Sequence, residues 1–222
     1  MFGISRFTAR QAVQELVNEG LLRRVQGQGT FINTQKSEEV FGPRMDLPIQ
    51  WARVGRPLTF EIERFAIEPG PAPMSALLLV AAERPILVVE RLRRNGPQTV
   101  SYDYRYIHPD FAGGLTAEAV RHESLLKLIS GHVRLARADN RVEAVVATAD
   151  IARRLGVPRG SAVLVREMLY VSADGFPVMA GRSLHPGDRI RHVFSVALDS
   201  DNEFGVTQWI APDDAKLEPP AD

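Results

Sequence analysis

Two arginines in one strand-like segment are the residues best suited to hold an anion. Arg91 and Arg93 follow the apolar run 85–89, and both guanidinium groups point the same way because side chains two residues apart in a strand share a face. Two such charges repel each other unless an anion or a carboxylate joins them, and guanidinium groups bind phosphate and carboxylate in a bidentate manner. An exposed edge strand with solvated arginines is the alternative interpretation, and the spacing alone leaves both open.

The turn that follows decides whether a carboxylate joins these arginines. A two-residue loop at 95–96 leaves Asp103 on the face opposite to Arg91. A three-residue loop at 95–97 pairs Arg91 with Ser101 and brings Asp103 onto the arginine face. We expect the three-residue loop, because the proline at its end has no N–H and is a poor partner in a strand ladder.

The other polar residues do not form a recognisable catalytic or metal-binding set. Cysteine is absent, which excludes disulfides, cysteine-based zinc sites and thiol nucleophiles. The five histidines are scattered without the spacing of a metal motif, and the chain has no nucleophile elbow, phosphate-binding loop or dinucleotide fingerprint. We therefore expect no metal, no cofactor and no enzymatic activity.

Length and composition are those of an ordinary globular protein of one or two domains. The 222 residues are 45% hydrophobic and 24% charged, and 27 basic side chains balance 27 acidic ones. This neutrality excludes a uniformly basic nucleic-acid coat and a polybasic membrane binder. The longest apolar run, 76–82, is much shorter than the roughly 18 residues of a spanning helix, and the first residues lack the extended apolar core that a signal peptide would show. We expect no membrane contact and a cytoplasmic location.

The charge is distributed unevenly along the chain. The first 36 residues carry five basic and two acidic side chains, which hints at a nucleic-acid contact. Ser5 is a natural N-cap for a helix that Gly20 ends, and two strand-like runs around Gly27 predict a hairpin. A capped helix followed by a glycine-tipped hairpin is the second half of a winged helix-turn-helix. A helix and hairpin packed on the main domain fit the spacing equally well.

Two units, each a helix followed by a hairpin, make up most of the remaining chain. The dipeptides at 95–96 and 174–175 are Asn-Gly and Asp-Gly between β-rich runs, and both are strong hairpin signals. Helix-like stretches at 75–82 and 149–155 precede them. This duplication predicts a mixed α+β fold with a mainly antiparallel sheet. The polar segment 35–56 contains prolines and glycines, and we interpret it as a linker.

The beginning of the chain resembles the DNA-binding domain of GntR-family bacterial regulators. The matching segments are F-G-I-S-R-F-T-A-R-Q-A-V-Q-E-L at 2–16, E-G-L-L at 19–22 and Q-G-Q-G-T-F at 26–31. The resemblance implies a recognition helix at 5–19 in the major groove, with DNA contacts from Ser5, Arg6, Thr8, Arg10 and Gly27. Arg6 and Arg10 stand one helical turn apart and would reach phosphates or guanine edges, whereas a solvated helix face is the alternative.

The family pattern continues upstream with a first helix and most of a second. One helix and a hairpin bury the apolar stripe of Ala9, Val13 and Leu16 only if another surface covers it. We therefore consider three explanations. The sequence is a fragment, its start was assigned too far downstream, or the helix and hairpin pack on another surface. We expect the chain alone to bind operator DNA weakly or not at all, because that contact needs the missing helices.

Residues 58–197 resemble the UTRA ligand-sensing domain of the HutC-like branch of the same family, which is related in fold to chorismate lyase. The matching segments are E-R-L-R at 90–93, N-G-P at 95–97, Y-I-H-P at 106–109, S-L-L-K-L-I at 124–129, A-R-R-L-G-V at 152–157 and G-F-P at 175–177. The resemblance implies an effector site made of Arg91, Arg93, Asp103 and Ser124, and it favours the loop that brings Asp103 to the arginines. Ser124 stands at a helix start, where an anion is favoured.

Together the two resemblances imply a ligand-responsive transcription regulator, usually a repressor, that binds operator DNA. We expect a partial winged helix-turn-helix at 1–34, a linker at 35–56, a UTRA domain at 57–199 and a partly disordered extension at 200–222. We expect the effector to be a small anionic metabolite and the protein to be a homodimer, which would match palindromic half-sites. There are two alternatives. A chorismate-lyase-like enzyme would turn over chorismate, and a stand-alone sensor module that has lost DNA binding would not bind operator DNA.

Overall fold

A capped helix is the first element of the structure. Helix α1 (Arg6–Asn18) begins after Ser5, whose Oγ accepts a hydrogen bond from the Thr8 N–H at 3.0 Å. The predicted N-cap is confirmed, whereas the predicted helix end at Gly20 lies outside the described residues. The structure is a computed structural model, and it describes residues 5–18, 22–27, 29–32, 36–41 and 58–194.

A hairpin follows the helix, as predicted. Strands β1 (Leu22–Val25) and β2 (Gly29–Ile32) pair antiparallel, and Gly27 in the turn has a φ of 75°, a region that favours glycine. On α1 the Phe7 side chain is 75% exposed and Leu16 is 38% exposed. Of the predicted apolar stripe, Leu16 is exposed while Ala9 and Val13 are half-buried, so the described residues cover this stripe only in part.

Strand β3 (Ser37–Phe41) lies within the segment 35–56 that we interpreted as a linker. It pairs in parallel with residues 190–194 near the other end of the described chain. At least this part of the segment therefore belongs to a sheet. Residues 42–57 and the predicted extension at 200–222 lie outside the described residues, and the predicted domain boundaries stay a prediction.

A six-stranded antiparallel sheet forms the centre of the main domain. Its strands along the chain are β4 (Thr59–Glu68), β5 (Ile86–Asn95), β6 (Gln98–Ile107), β7 (Leu135–Val146), β8 (Ala162–Ser172) and β9 (Pro177–Pro186). Their order in space is β4-β5-β6-β9-β8-β7, so the two predicted hairpins meet where β6 pairs with β9. The predicted α+β fold with a mainly antiparallel sheet is confirmed. The last strand, β10 (Ile190–Phe194), is the parallel partner of β3.

Short helices pack on both faces of this sheet, because side chains alternate along each strand. The helices are α2 (Ala72–Leu77), α3 (Ala117–His122), α4 (Leu125–Ser130) and α5 (Ala149–Leu155). Residues of α2 and α5 form one core with Tyr102 and Tyr104, while residues of α3 and α4 form the other with Leu87 and Ile107. None of the described helices is both long and apolar enough to cross a membrane.

The turn between β5 and β6 differs from the prediction. Asn95 pairs with Gln98, so the loop consists of Gly96 and Pro97 alone and is one residue shorter than expected. Gly96 has a φ of 55°, which suits the first central position of a tight hairpin turn. The second central position of such a turn tolerates the fixed negative φ of Pro97, and neither central residue needs its N–H for the ladder.

A bulge compensates for this shorter loop. The register shifts between Arg93 and Arg94, and beyond that point Arg91 pairs with Asp103. We predicted Ser101 as the partner of Arg91, so the predicted register was wrong. A bulge adds one residue to one strand and reverses the alternation of its side chains. Asp103 therefore lies on the face that carries the arginines.

Candidate functional site

A row of polar side chains crosses the sheet on the face that also packs α3 and α4. In the strand register Arg91 stands opposite Asp103, Asp103 stands opposite Ser183, and Ser183 stands opposite Arg166. Four adjacent strands, β5, β6, β9 and β8, thus contribute one side chain each. All four side chains are buried, although three of them are ionisable. We call Arg91, Asp103, Ser183 and Arg166 the polar row.

Asp103 is the carboxylate that joins the arginines. Its Oδ2 lies 2.8 Å from Nε of Arg93 and 3.6 Å from Nε of Arg91, and its Oδ1 lies 3.4 Å from Nη2 of Arg105. The hydroxyls of Ser183 and Ser101 donate to Oδ1 at 2.8 Å and 3.1 Å. Within the described part of the chain, Asp103 is the only carboxylate within 4.0 Å of these three guanidinium groups.

The charges in this cluster do not balance. Three buried guanidinium groups, those of Arg91, Arg93 and Arg105, surround one carboxylate and leave an excess of positive charge. The pKa of Arg91 is lowered to about 9, mainly by burial, with the Asp103 carboxylate opposing this shift and the charges of Arg105 and Arg93 adding to it, so the guanidinium group is still protonated at neutral pH. A buried excess of charge is costly unless a counter-ion joins it. The cluster is therefore suited to an anion.

Burial and the three guanidinium groups act on Asp103 in opposite directions. Burial would raise the pKa of Asp103, but the charges of Arg105, Arg93 and Arg91 outweigh it and hold that pKa well below the usual range. The carboxylate is consequently ionised at any physiological pH. It is a poor base, because a carboxylate with such a low pKa holds a proton only weakly.

The environment of Arg91 combines the sheet with the end of helix α3. Its Nη1 donates to the carbonyl oxygens of Val120 at 3.2 Å and Glu123 at 3.4 Å, near the negative end of the helix dipole. The guanidinium group also lies over the Phe60 ring, 4.2 Å from its centroid. Among the described residues, the buried Nε of Arg91 has no hydrogen-bond partner, and its nearest carboxylate oxygen is Oδ2 of Asp103 at 3.6 Å.

The structure brings three of the four predicted effector residues into direct contact and places the fourth nearby. Arg91, Arg93 and Asp103 form one cluster. Ser124 is buried at the start of α4, where its Oγ accepts a hydrogen bond from the Lys127 N–H at 3.0 Å. The carbonyl group of the preceding residue is the one that Arg91 contacts. Their roles in effector binding stay predictions.

Sequence reasoning missed Arg105, Ser101 and Ser183 as members of this cluster. Arg105 donates to the Ser183 hydroxyl at 2.8 Å, and Arg93 donates to the Ser101 hydroxyl at 2.6 Å. Arg105 and Ser101 each stand two residues from Asp103 on β6, so the alternation of a strand was a signal for both. Ser183 comes from β9, and only the pairing of two separate hairpins places it here.

The residues predicted to contact DNA lie on α1 and the hairpin. Arg6 and Arg10 are exposed, as an anion-binding helix face requires. The Thr8 Oγ1 lies 2.9 Å from the Ser5 Oγ at the helix start, and Gly27 is exposed at the hairpin turn. A Cβ placed on Gly27 meets no atom within 4 Å, so its positive φ is the feature that favours glycine. Their contacts with DNA stay predictions.

A second buried cluster, which the sequence did not reveal, joins β3 to β9 and β10. The Oε2 of Glu39 lies 3.6 Å from Nε2 of His185 and 3.1 Å from Nε2 of His192, while its Oε1 lies 3.5 Å from Nη2 of Arg166. Burial would raise the pKa of Glu39, but the Arg166 charge and a hydrogen bond with His192 hold it below its usual value. Burial lowers the pKa of His185 to about 3, so this imidazole is neutral at physiological pH. We call Glu39, His185 and His192 the Glu-His cluster.

A capped helix with a glycine-tipped hairpin, followed by an α+β domain with a buried basic site, is the arrangement of a transcription regulator that senses a ligand. The model of the UTRA domain family matches residues 53–191, and that of the bacterial regulatory proteins of the gntR family matches residues 1–32. The chain therefore belongs to the GntR family of bacterial regulators and carries a UTRA ligand-binding domain. It is a ligand-responsive transcription regulator.

Relatives and solved structures agree with this assignment. The chain is 27% identical to the HTH-type transcriptional repressor NagR of Bacillus subtilis over 194 aligned residues, and this aligned region covers 86% of this chain and 79% of NagR. It is 24% identical over 190 residues to the histidine utilization repressor of Pseudomonas putida, and the aligned region covers 85% of this chain and 76% of that repressor. Its fold is similar to that in the crystal structure of PhnF from Mycobacterium smegmatis, with a TM-score of 0.69 and 20% sequence identity. The match covers 89% of this chain and 88% of the PhnF chain.

Proposed function

We propose that the UTRA domain binds a small anionic metabolite at Arg91 and Arg93, and that this binding releases the protein from operator DNA. The observation that carries the proposal is the charge imbalance of the cluster, in which three buried guanidinium groups share the carboxylate of Asp103. A phosphate or carboxylate group would complete that balance, and guanidinium groups are suited to bidentate contacts with either.

One buried donor indicates how the effector would be held. The Nε of Arg91 has no hydrogen-bond partner among the described residues, and its nearest carboxylate oxygen, Oδ2 of Asp103, lies 3.6 Å away and is already paired with Arg93 at 2.8 Å. Buried polar atoms in native proteins are almost always paired. In our proposal the anionic group accepts from Arg91, a hydroxyl or amine of the effector donates to Asp103, and Ser124 at the start of α4 closes the site.

In this proposal the domain binds its ligand without transforming it. A general base that works near neutral pH needs a pKa close to that pH. The arginines hold the pKa of Asp103 far below it, and the other side chains of the cluster are arginines and serines. This composition favours recognition over acid–base catalysis, so we propose a sensor and not a chorismate-lyase-like enzyme.

The DNA-binding half of the proposal rests on α1 and the hairpin. We propose that Arg6 and Arg10 contact operator DNA from exposed positions on α1, with Ser5, Thr8 and Gly27 contributing to the same interface. We also propose a cytoplasmic repressor, since bacterial operator DNA lies in that compartment, and a homodimer that matches two half-sites. Sedimentation that shows a monomer at micromolar concentration would contradict the dimer.

A thermal-shift and gel-shift experiment tests the proposal. The chain is screened against inorganic phosphate, phosphorylated sugars, phosphonates and amino-acid catabolites. A stabilising compound is then tested for release of a DNA fragment of the protein's own promoter, using the chain extended upstream to a complete winged helix-turn-helix. The Arg91→Ala variant should bind that compound more weakly by about 1.5–3 kcal/mol, the range for a hydrogen bond to a charged group. It should keep its DNA affinity and lose effector-dependent release.

Arg137→Ala is the matched control, because Arg137 is 49% exposed on β7 and pairs only with the neighbouring Asp139 among described residues. This variant should respond to the compound like the wild type. Normal responses of both Arg91→Ala and Arg93→Ala would show that the effector binds elsewhere.

A further inference from the structure

We propose that Glu39, His185 and His192 form a binding site for a divalent transition-metal ion, with Zn²⁺ as the representative ion. One carboxylate and two imidazoles are a ligand set that zinc uses in proteins, with a fourth position left for water or another oxygen ligand. The three side chains come from β3, β9 and β10, and each is at most 4% exposed.

The distances between the ligand atoms fit one ion. With metal–ligand distances of about 2.0–2.1 Å, two ligand atoms of a tetrahedral site lie about 3.3–3.4 Å apart. The Glu39 Oε2 lies 3.1 Å from one imidazole Nε2 and 3.6 Å from the other, values on either side of that spacing. One ligand atom from each of the three residues lies within 4.8 Å of the others. The cluster therefore needs only small side-chain rotations to enclose an ion.

A second observation also points to a ligand at this position. His185 is fully buried, and among the described residues neither of its ring nitrogens has a hydrogen-bond partner. An imidazole nitrogen left without a partner in the interior costs free energy, so native proteins rarely contain one. Coordination of a metal ion by Nε2 gives this ring a partner. The ring of His192 lies edge-on to it, with the centroids 5.1 Å apart.

Arg166 is a positioning residue for this site. Its Nη2 lies 3.5 Å from Oε1 of Glu39, so the guanidinium group occupies one side of the carboxylate while Oε2 faces the two histidines. Outer partners of this kind orient metal ligands. Two imidazoles with a single carboxylate are matched to a transition metal more than to Mg²⁺ or Ca²⁺, which prefer several oxygen ligands.

A bound ion would connect the end of the DNA-binding hairpin to the sensor domain. Strand β3 begins at Ser37, soon after the hairpin strand β2 that ends at Ile32. It carries Glu39, which would be one ligand of the ion. The other two ligands belong to strands of the main domain. The ion would thus tie β3 to the sensor sheet by bonds stronger than the strand pairing alone.

The test is a zinc titration of the complete chain, purified without a histidine tag and stripped with a chelator. Isothermal titration calorimetry should show one Zn²⁺ per chain, and the melting temperature should rise with zinc concentration. His185→Gln and His192→Gln should each weaken zinc binding by at least about tenfold, as expected for loss of a ligand. His122→Gln is the control, since this histidine is 68% exposed outside the cluster and should leave binding unchanged.

A wild-type chain that binds no zinc, or a folded His185→Gln variant with unchanged affinity, would overturn the proposal. If the variants fail to fold, the visible spectrum of the wild type with Co²⁺ decides. Intense bands of four-coordinate Co²⁺ with nitrogen ligands support the site, whereas the weak spectrum of six-coordinate Co²⁺ with oxygen ligands contradicts it.

Discussion

Replacement of Asp103 by asparagine tests whether the arginine cluster depends on its single carboxylate. Asparagine has nearly the same shape, and its carbonyl oxygen can still accept hydrogen bonds from Ser101 and Ser183. What the variant loses is the negative charge within 4.0 Å of Arg91, Arg93 and Arg105. The change in stability therefore reports the electrostatic role of Asp103.

The burial of the cluster sets the expected magnitude. The Asp103 side chain is 0% exposed and the three arginine side chains are 4–6% exposed, so water screens these charges very little. Removal of one partner from a buried ion pair costs about 3–5 kcal/mol, because the remaining charge is left uncompensated. We expect Asp103→Asn to lower the free energy of unfolding by about that amount, a large fraction of the roughly 5–15 kcal/mol typical of a domain.

Urea denaturation at pH 7 in a buffer without phosphate or sulfate measures this loss. Asp188→Asn is the control, because Asp188 is 75% exposed and lies 3.8 Å from Arg189, and this variant should match the wild type. Added phosphate should stabilise Asp103→Asn more than the wild type, since an anion can replace the missing charge. A loss below about 1 kcal/mol in Asp103→Asn would refute the assigned role, because that is the value expected of an exposed pair.

Three further predictions follow from particular contacts. The free energy of unfolding of the wild type should fall as pH drops below about 4. The reason is that Asp103 takes up a proton in the unfolded chain, whereas the arginines keep its pKa lower in the folded state. In acid titrations of stability, Asp103→Asn should show a shallower fall than the wild type. Ser5→Ala removes the N-cap of α1 and should cost this helix about 1 kcal/mol, seen as faster hydrogen exchange of its first-turn amides. Gly181→Ala should destabilise the sheet by about 1–3 kcal/mol in urea, because the new Cβ would lie 2.1 Å from the Tyr104 carbonyl oxygen, whereas Gly113→Ala meets no neighbour and should be neutral.

Local signals explain why most of the fold could be predicted. The Asp-Gly at 174–175 lies in the turn between β8 and β9, and the predicted helix at 149–155 is observed with Gly156 as its left-handed cap. The first hairpin was located equally well, but its register was not. A bulge next to Arg93 sets that register, and no local pattern in the sequence marks its position.

The candidate sites show the same division between local and distant information. The shared face of Arg91 and Arg93 follows from the alternation of one strand. The Glu-His cluster depends on a parallel pairing between the first and last strands associated with the main domain, and such distant pairings leave little trace in the sequence. The five-residue strand β3 also carries no alternation of apolar and polar residues, so composition alone indicated a linker.

The two clusters are electrostatically connected, and this bears on how an effector could influence the DNA-binding end. Arg166 belongs to the polar row and also lies 3.5 Å from Glu39, while the charge of Arg93 helps to lower the pKa of Glu39. An anion bound at Arg93 would cancel part of that favourable field. The attraction that holds Glu39, and with it β3, against the sensor sheet therefore depends on the charge at the proposed effector site. Because β3 follows the hairpin closely in the chain, it is the described element through which this change in charge would first reach the DNA-binding part.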